Sequence, residues 1–534
     1  IIEDQVTYPI TPTMLTVPGA TTVRGYSFFG DSYVYVLFDE DVDPYWARSR
    51  VSEYLNEVEK TLPDGAKTSL GPDASGVGWV YEYALVDKTG QHDLSELRSI
   101  QDWFLKYELE SVPGVAEIAS LGGMVKQYQI VIDPNVLLRE LVTLSSVVNA
   151  LQKGNQEAGA SVIELSEAEY MIRVHGYLSS KEDIGNVGPL GVNSVGDAVF
   201  LRDIAEIREG PAPRRGVAEL DGKGEVAGGI VIMRWQENAL ETIRLVENRI
   251  KELKLALPQG VELIETYNRA DLIQQSIDSL SNKLIEEILI VILVCFLFLM
   301  HIRSSLIIAI SLPVGILSAF IVMKYQGINA NIMSLGGIAI AIGAMGDAAI
   351  VMIENMHKHM EHTEVTDENR WQVMREAAQE VGPPLFFSLL IITLSFLPVF
   401  TLEAQEGRMF APLAFTKTFA MAGAALLSIT LVPVLMGYFI RGHVTPEHKN
   451  PINRVLIAAY KPFIDMVLHS PKAVLFATLF IVAAGFWPLS QLGSEFMPDL
   501  DEGDLLYMPS TFPAVSVGKA QQLLQQTNKL IKTV

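Results

Sequence analysis

The spacing of hydrophobic and polar residues divides the chain into two parts. Through residues 1–282, segments that alternate polar and apolar positions, such as SYVYVLFDE and GWVYEYALVD, stand between amphipathic segments such as PYWARSRVSEYLNEVEKTL. Alternation with a period of two predicts half-buried strands, and apolar residues three and four positions apart predict helices that pack on one face. We therefore interpret the first part as a water-soluble α/β region.

The α/β region contains a weak internal repeat. Val-Pro-Gly at 17–19 and at 112–114 each opens a strand pair, and Leu-Pro at 62–63 and at 257–258 each follows a helix. Residues 17 and 62 are 45 positions apart, whereas residues 112 and 257 are 145 apart, so about 100 residues are inserted into the second copy. This predicts two related βαβ-type modules, the second with a domain inserted at about 132–211. A chance match of short Pro-Gly turns is the alternative.

From residue 284 the pattern changes to long apolar stretches, and six of them follow one another: about 284–300, 306–325, 332–353, 385–402, 415–440 and 473–492. A helix needs roughly 17–25 residues to cross the hydrocarbon core of a bilayer. Buried helices of a large soluble protein are the alternative, which six consecutive stretches disfavour. We predict six transmembrane helices, with an amphipathic helix on the membrane face at about 450–469.

Basic residues in the short connections predict the orientation of these helices. Connections on the side of the α/β region hold only Lys324, Arg408 and Lys417. Nine basic residues lie on the opposite side: Arg303, Lys358, Arg370, Arg375, Arg441, Lys449, Arg454, Lys461 and Lys472. Because cytoplasmic loops are enriched in Lys and Arg, we expect the α/β region to lie outside the cytoplasm.

Composition and motifs narrow the class of function. The net charge of −22 argues against a nucleic-acid partner, because phosphate binding needs clustered Lys and Arg. The single cysteine, Cys295, excludes a disulfide framework and a metal site built from cysteines. Walker A, HExxH and GxSxG motifs do not occur in the sequence, so neither ATP-driven transport nor hydrolysis has support. The chain opens without Met and ends in a predicted helix, so we expect it to be a piece of a longer protein.

One acid interrupts the third apolar stretch. Asp347 lies about five residues past the middle of this stretch, roughly 7 Å from the bilayer centre at 1.5 Å per residue. A charged carboxylate at that depth costs several kcal/mol and is usually functional. Because desolvation favours the neutral acid, Asp347 is predicted to relay protons; an acid held by a static hydrogen bond between helices is the alternative. The same stretch contains Gly336, Gly337, Gly343 and Gly346. Glycines in a membrane helix allow close approach of a neighbouring helix.

Methionines follow two apolar stretches that cross in the same direction. Met333, Met345 and Met352 descend the first, and Met421 and Met436 descend the second. Similar depths would pair Met345 with Met421 and Met352 with Met436. Thioethers suit Cu(I) and Ag(I), but Met also fills gaps in apolar cores. The pattern by itself favours packing.

Two further segments are candidates for metal binding. Met508, in EGDLLYMPST, lies just after the last apolar stretch, but a soft-metal site needs two or three such ligands. The run MHKHMEH at 356–362 is rich in histidine, although a solvated loop face is the more typical origin of such a run. Neither segment identifies a metal site without other information.

Several segments resemble the resistance-nodulation-division (RND) heavy-metal efflux pumps, in their copper and silver branch: VTYPITPTMLTVPGATTVRGYSFFGDSYVYVLF, QDWFLKYELESVPGVAEIASLGG, NANIMSLGGIAIAIGAM, DAAIVMIEN, PLAFTKTFAMAGAALL and EGDLLYMPST. The resemblance extends over essentially the whole chain. It implies a homotrimeric proton antiporter of the Gram-negative inner membrane that exports Cu(I) or Ag(I) through a periplasmic adaptor and an outer-membrane channel. An RND exporter of divalent ions or organic compounds and an inactive or scaffolding fragment are the alternatives.

The same resemblance implies a domain organisation. The chain is similar to the first half of a twelve-span transporter without its first span, with an α-helical membrane domain and ferredoxin-like βαβ porter subdomains. The implied ranges are 1–75 for porter subdomain PN1, 76–132 and 212–282 for PN2, 133–211 for a docking subdomain inserted in PN2, 283–492 for transmembrane helices 2–7, and 493–534 for the start of porter subdomain PC1.

Residue roles follow from the resemblance as well. Asp347 matches the proton relay, whose Glu and Lys partners are expected beyond Val534, and Met508 matches one of three methionines of a periplasmic metal site. The resemblance also implies that the membrane methionines form a ladder that conducts the ion, and this reverses the preference for packing. The methionines of this ladder are Met333, Met345, Met352, Met421 and Met436. No resident cofactor is implied, and lipid is expected around the apolar helices.

Two positions depart from the copper and silver branch. Pro213 stands where the branch usually has Met, so one periplasmic rung of the ladder is missing. Gly346 stands where the branch usually has Val, next to the relay acid. These departures leave the completeness of the ladder and the packing beside Asp347 open.

Overall fold

A computed structural model describes residues 1–39, 41–174, 176–214, 216–363, 366, 368–441, 450–494, 503, 505–512 and 514–533. The chain divides into two compact units. One contains Ile1–Phe38, Val42–Ala270 and Leu506–Val534, and the other contains Asp39–Asp41 and Asp271–Leu505. We call the first the sheet unit and the second the helical unit.

The sheet unit alternates strands and helices, as the sequence pattern predicts. Its elements up to Asn268 are α1 (Tyr8–Leu15), β1 (Ala20–Ser27), β2 (Ser32–Phe38), α2 (Pro44–Val58), β3 (Trp79–Asp87), α3 (Leu94–Ile100), α4 (Lys106–Glu110), β4 (Val115–Gly122), β5 (Lys126–Ile132), α5 (Pro134–Arg139), α6 (Leu144–Gly154), β6 (Ala158–Leu165), β7 (Ala168–Val174), α7 (Lys181–Gly185), β8 (Gly191–Val192), β9 (Ala198–Val199), α8 (Leu201–Ile204), β10 (Ala205–Pro211), β11 (Ala227–Met233), α9 (Ala239–Leu253) and β12 (Val261–Asn268).

The two repeat copies fold to different extents. In the first, β1 and β2 form an antiparallel hairpin. In the second, four antiparallel strands have the order β12-β3-β11-β4. Here β11 lies between β3 and β4, so the predicted βαβ unit is split by a strand, as in ferredoxin-like folds. Apolar residues of α3, α4 and α9 share one core with this sheet.

The inserted segment begins and ends on a pair of strands. β5 pairs antiparallel with β10, from Lys126 opposite Pro211 to Ile132 opposite Ala205. The residues between them form a separate apolar core around Val147, Leu201 and Ile204. This strand pair brings the two ends of the insertion together, which explains how the second module accommodates about 100 additional residues.

The helical unit is built from long helices. They are α10 (Arg269–Leu299), α11 (Ile302–Gln326), α12 (Ile332–His362), α13 (Arg370–Leu394), α14 (Ala404–Ile429), α15 (Leu431–Phe439), α16 (Pro451–His469) and α17 (Pro471–Leu489). α16 occupies the predicted amphipathic segment. The predicted stretch at 415–440 is divided at Thr430, where the backbone leaves the helical path between α14 and α15.

Five segments of the described helices are long and apolar enough to cross a membrane: Ile302–Gln326, Ile332–Glu361, Arg370–Thr401, Gln405–Ile429 and Pro471–Leu489. The remaining predicted stretch, 284–300, forms the second half of α10. It follows Lys283 and contains Glu286 and Glu287 close to its start. Length and composition thus support five of the six predicted spans.

α12 lies at the centre of the helical unit. Its start is fixed by a capping box, in which Ser334 N donates to Asn331 Oδ1 at 2.8 Å and Asn331 N donates to Ser334 Oγ at 2.7 Å. α12 and α14 approach closely at Gly337. A Cβ added there would lie 2.3 Å from Thr416 Oγ1 and 2.5 Å from the carbonyl oxygen of Leu413. The Thr416 hydroxyl also donates to the Ser334 carbonyl at 2.9 Å. Only a glycine fits between these two backbones.

We expect Gly337→Ala to destabilise the helical unit, because the added methyl group meets the fixed backbone of α14. Overpacking of this kind costs about 1–3 kcal/mol. Gly336→Ala is the matched control, since a Cβ there meets no described atom within 4 Å and alanine is the better helix former. Thermal unfolding in detergent should show a lower Tm for Gly337→Ala alone. Equal Tm values for the two variants would contradict the close approach of α12 and α14.

Candidate functional site

Asp347 lies on an exposed face of α12. Among the described residues it has no hydrogen-bond or ion-pair partner, and it is close enough to the Cys295 thiol of α10 to interact with it electrostatically. The alternative of a static hydrogen bond between helices therefore has no support within the part of the chain that is described. The carboxylate remains available to a group outside this part.

Glycine at position 346 leaves little space beside the acid. A Cβ added at Gly346 would lie 3.6 Å from Val291 Cγ1, which is an ordinary van der Waals distance. The packing of α10 against α12 at this point therefore does not require glycine. The departure at Gly346 leaves the helix contact beside Asp347 intact.

The membrane methionines are buried together. Met345 is 5% exposed, and Met352, Met421 and Met436 are fully buried. These four residues belong to one apolar core formed by α10 to α15. Met333, close to the start of α12, is half-buried. Four of the five predicted ladder methionines thus share a single core.

The close contact near Gly337 fixes the register of α12 against α14. Ser334 and Gly337 lie beside Thr416, an offset of about 80 residues. With that offset, Met421 is about four residues from the level of Met345, and Met436 is about four residues from the level of Met352, or roughly 6 Å along the axis. A methionine side chain can reach across much of that distance. The predicted pairs are close to level, and direct contact within each pair stays a prediction.

Met345 and Met352 each border a cavity. Met345 shares one with Ala424 and Ser428 of α14, and its methyl group packs over Gly315 of α11. Met352 borders another, which holds two residues that the sequence pattern did not single out: Trp371 and Met374. A second thioether and an indole face are both suited to a soft cation. The signal that would have found them is their position on α13, one turn apart.

Methionine and acid lie on opposite faces of α12. Asp347 follows Met345 by two positions, and Glu354 follows Met352 by two positions. Two residues correspond to about 200° of rotation around a helix with 3.6 residues per turn. The methionines therefore face the core, whereas the acids face away from it, and one helix carries both.

The histidine-rich run differs from the predicted loop. α12 continues through His362, so the run is helical, and His357 is only 7% exposed. His359 Nε2 lies 2.7 Å from Glu380 Oε2 on α13. The described residues contain no group of three His, Cys, Asp or Glu side chains arranged to hold a metal ion. The prediction of a solvated loop was wrong for the buried part of the run, because the apolar face of α12 extends to its end.

Lys417 also differs from its predicted place. It was assigned to a connection on the side of the α/β region, but it lies inside α14 and is 7% exposed. Its ammonium nitrogen lies 3.2 Å from the centre of the Phe396 ring, a cation–π contact that compensates part of its desolvation. Without Lys417, the connections on the side of the α/β region hold fewer basic residues, so the difference in charge between the two sides, on which the predicted orientation rests, becomes larger. Lys449, which was counted on the other side, lies outside the described residues.

Two predicted features lie in the sheet unit. Met508 is 78% exposed in a segment without regular secondary structure. Pro213 precedes Arg214, whose guanidinium pairs with the Glu225 carboxylate. Pro213 and Arg214 line a cavity of the sheet unit. The described residues bring no second methionine to Met508, so the three-methionine site implied by the resemblance stays a prediction.

Comparison with known proteins matches this architecture. The family model described as the AcrB/AcrD/AcrF family matches residues 1–534. The cation efflux system protein CusA of Escherichia coli (strain K12) is 59% identical over 541 residues, which cover 100% of this chain and 52% of that protein. The cobalt-zinc-cadmium resistance protein CzcA of Cupriavidus metallidurans is 34% identical over 547 residues, which cover 99% of this chain and 50% of that protein.

A solved structure agrees with the fold. The X-ray crystal structure of a heavy metal efflux pump, crystal form II, has a TM-score of 0.85 and 28% sequence identity, and it covers 98% of this chain and 50% of that one. The putative cation efflux system protein SilA of Salmonella typhimurium is 58% identical over 541 residues. The chain thus spans about half the length of the relatives that it matches, and it belongs to the AcrB/AcrD/AcrF family of RND transporters, in the heavy-metal efflux branch that contains CusA and SilA.

Proposed function

We propose that this chain is part of a proton-driven exporter of Cu(I) and Ag(I). The observation that carries the proposal is the burial of Met345, Met352, Met421 and Met436 in one core. α12 contributes Met345 and Met352 to this core and carries Asp347 on its opposite face. Thioethers bind soft monovalent ions and compete poorly for hard ones. The similarity to CusA and SilA supports the same choice of ion.

In this proposal, metal and protons use different faces of α12. The methionines act as stepping ligands along the core face, and Met508 contributes to a binding site completed by residues outside the described part. Asp347 takes up a proton on one side of the membrane and releases it on the other, and one charge crossing 100 mV supplies about 2.3 kcal/mol. Movement of α12 as a rigid element would couple the two.

The location and partners belong to the same proposal. The five apolar spans support a location of the helical unit in the inner membrane, and the distribution of basic residues supports a periplasmic location of the sheet unit. The protein would act as a homotrimer with a periplasmic adaptor and an outer-membrane channel. A divalent-ion exporter is the second candidate, because CzcA is 34% identical, but its harder ions need nitrogen or oxygen ligands, and no three-residue cluster of them occurs among the described residues.

We expect Met345→Leu to lower Ag(I) transport by the full-length protein several-fold, because leucine fills the space of the thioether but cannot bind the ion. Met323→Leu is the matched control: Met323 is also buried, at 2% exposure, but lies on α11 outside the proposed path. Both exchanges conserve volume and cost little stability. Ag(I) uptake into proteoliposomes measures the effect, and equal rates for the two variants would contradict a ligand role for Met345.

We expect Asp347→Asn to abolish transport without weakening metal binding, because asparagine has nearly the same shape but cannot carry a proton. Isothermal titration of the full-length variant with Ag(I) should give an affinity within about twofold of the unmodified protein, while silver tolerance of cells falls to that of a deletion strain. A scaffolding protein would retain its tolerance. Tight Zn(II) binding without Ag(I) binding would instead favour the divalent-ion exporter.

A further inference from the structure

One polar chain in the helical unit is not used by the proposed mechanism so far. His301 Nδ1 lies 2.7 Å from Ser304 Oγ, and Ser304 Oγ lies 2.8 Å from His357 Nε2. The two imidazole rings are 5.6 Å apart and nearly perpendicular. Ser304 is fully buried and His357 nearly so. A single hydroxyl therefore links two imidazoles at the ends of α10, α11 and α12.

The hydrogen atoms of the hydrogen-bonded chain His301–Ser304–His357 have a consistent order. The second ring nitrogen of His301 is hydrogen-bonded to the backbone of Arg441, and this bond raises the basicity of the imidazole. Such an effect requires that the imidazole N–H donates to the Arg441 carbonyl. His301 Nδ1 then accepts from the Ser304 hydroxyl, and Ser304 Oγ accepts from His357 Nε2–H. His357 Nδ1 is left as the one ring nitrogen of the chain able to take up a proton. This order has a single entrance, at His357.

A polar stripe leads along α12 from Asp347 towards this entrance. Glu354 and Glu361 follow Asp347 by seven and fourteen positions, so they return to nearly the same face of the helix. His357 follows Asp347 by ten positions and is rotated from it by about 80°, towards the core. These three residues line a cavity of about 390 Å³. The same cavity is lined by Cys295, whose thiol interacts electrostatically with Asp347. The cavity thus extends from Cys295, which is near Asp347, to His357.

The distance explains why the cavity is needed. Ten residues of helix separate Asp347 from His357, or roughly 15 Å, and a single proton transfer does not cover that distance. A cavity of this size, lined in part by the polar side chains of Glu354, His357 and Glu361, has room for several water molecules. Asn450 closes its far side, because its amide donates to the carbonyls of Leu297 and Phe298 at 3.1 and 2.8 Å and joins α16 to α10.

Charges around the His301–Ser304–His357 chain favour the transfer of a proton over its retention. Burial, and then the nearby Arg303 guanidinium, lower the pKa of His301. The Lys358 ammonium pairs with the Glu354 carboxylate at 2.8 Å, so the acids of the stripe are partly neutralised. Glu361 has its own interactions. An imidazolium is disfavoured here, and a proton that arrives is passed on.

We propose that His357, Ser304 and His301 form the route by which protons received by Asp347 leave the protein, at the end of α12 that the proposed orientation places in the cytoplasm; this rests on the proposed antiport. A proton from the cavity binds His357 Nδ1, and the Nε2 proton of His357 passes to Ser304 Oγ. The original hydroxyl proton passes to His301 Nδ1, and the Nε2 proton of His301 leaves to solvent. One proton enters and one leaves, and the two rings exchange tautomers, which must reset before the next transfer.

Proton flux into proteoliposomes that hold the full-length protein and an internal pH dye tests this route. We expect His357→Ala to lower Ag(I)-dependent proton flux by on the order of tenfold or more, as for other proton-transfer groups, with Ag(I) binding unchanged. Free imidazole should restore the flux, because the adjoining cavity has room for it. Ser304→Ala should also lower the flux, but imidazole should not restore it. His359→Ala is the control, since His359 pairs with the exposed Glu380 and is not part of the His301–Ser304–His357 chain.

The outcomes separate this inference from the function on which it rests. Normal flux in Asp347→Asn would overturn the antiport itself. Loss of flux in Asp347→Asn together with normal flux in His357→Ala would overturn only the exit route. A loss in His357→Ala that imidazole does not restore would identify the chain as a structural clamp between helices and would equally overturn it.

Discussion

The close contact between α12 and α14 at Gly337 determines the arrangement of the helical unit. Because the backbones approach to the distance at which a methyl group no longer fits, the two helices can neither slide nor rotate freely against each other. The resulting register turns Met345 and Met352 into the core and brings them close to level with Met421 and Met436. Asp347, two positions after Met345, is turned away from the core by the same geometry.

Two kinds of chemistry are therefore kept apart on one helix. The core face of α12 offers soft, uncharged thioethers in an apolar surrounding, where a hard hydrated ion gains little. The opposite face carries Asp347 and Glu354, and a cavity that can admit water adjoins Glu354 and His357. In the proposed function, α12 has a metal path on one face and a proton path on the other, and a small movement of this rigid helix would couple metal transport to proton transfer.

Much of this arrangement could be predicted from the sequence, because the decisive signals are local. Asp347 within an apolar stretch and the spacing of the methionines are visible in the sequence itself, and Gly337 was included among the glycines expected at a helix contact. Lys417 was misplaced because hydropathy shows a charge but not the Phe396 ring that compensates it. The His301–Ser304–His357 chain was missed because Ser304 and His357 are 53 positions apart and meet only when α11 packs against α12.

X-ray absorption of the full-length protein loaded with Cu(I), in a Met508→Leu background that disables the periplasmic site, tests the central claim most directly. The account predicts a copper ion surrounded by thioether sulfur, since the buried methionines of α12, α14 and α15 are then the ligands that remain. Bound copper with only nitrogen or oxygen neighbours, or no bound copper at all, would contradict a methionine path through the helical unit.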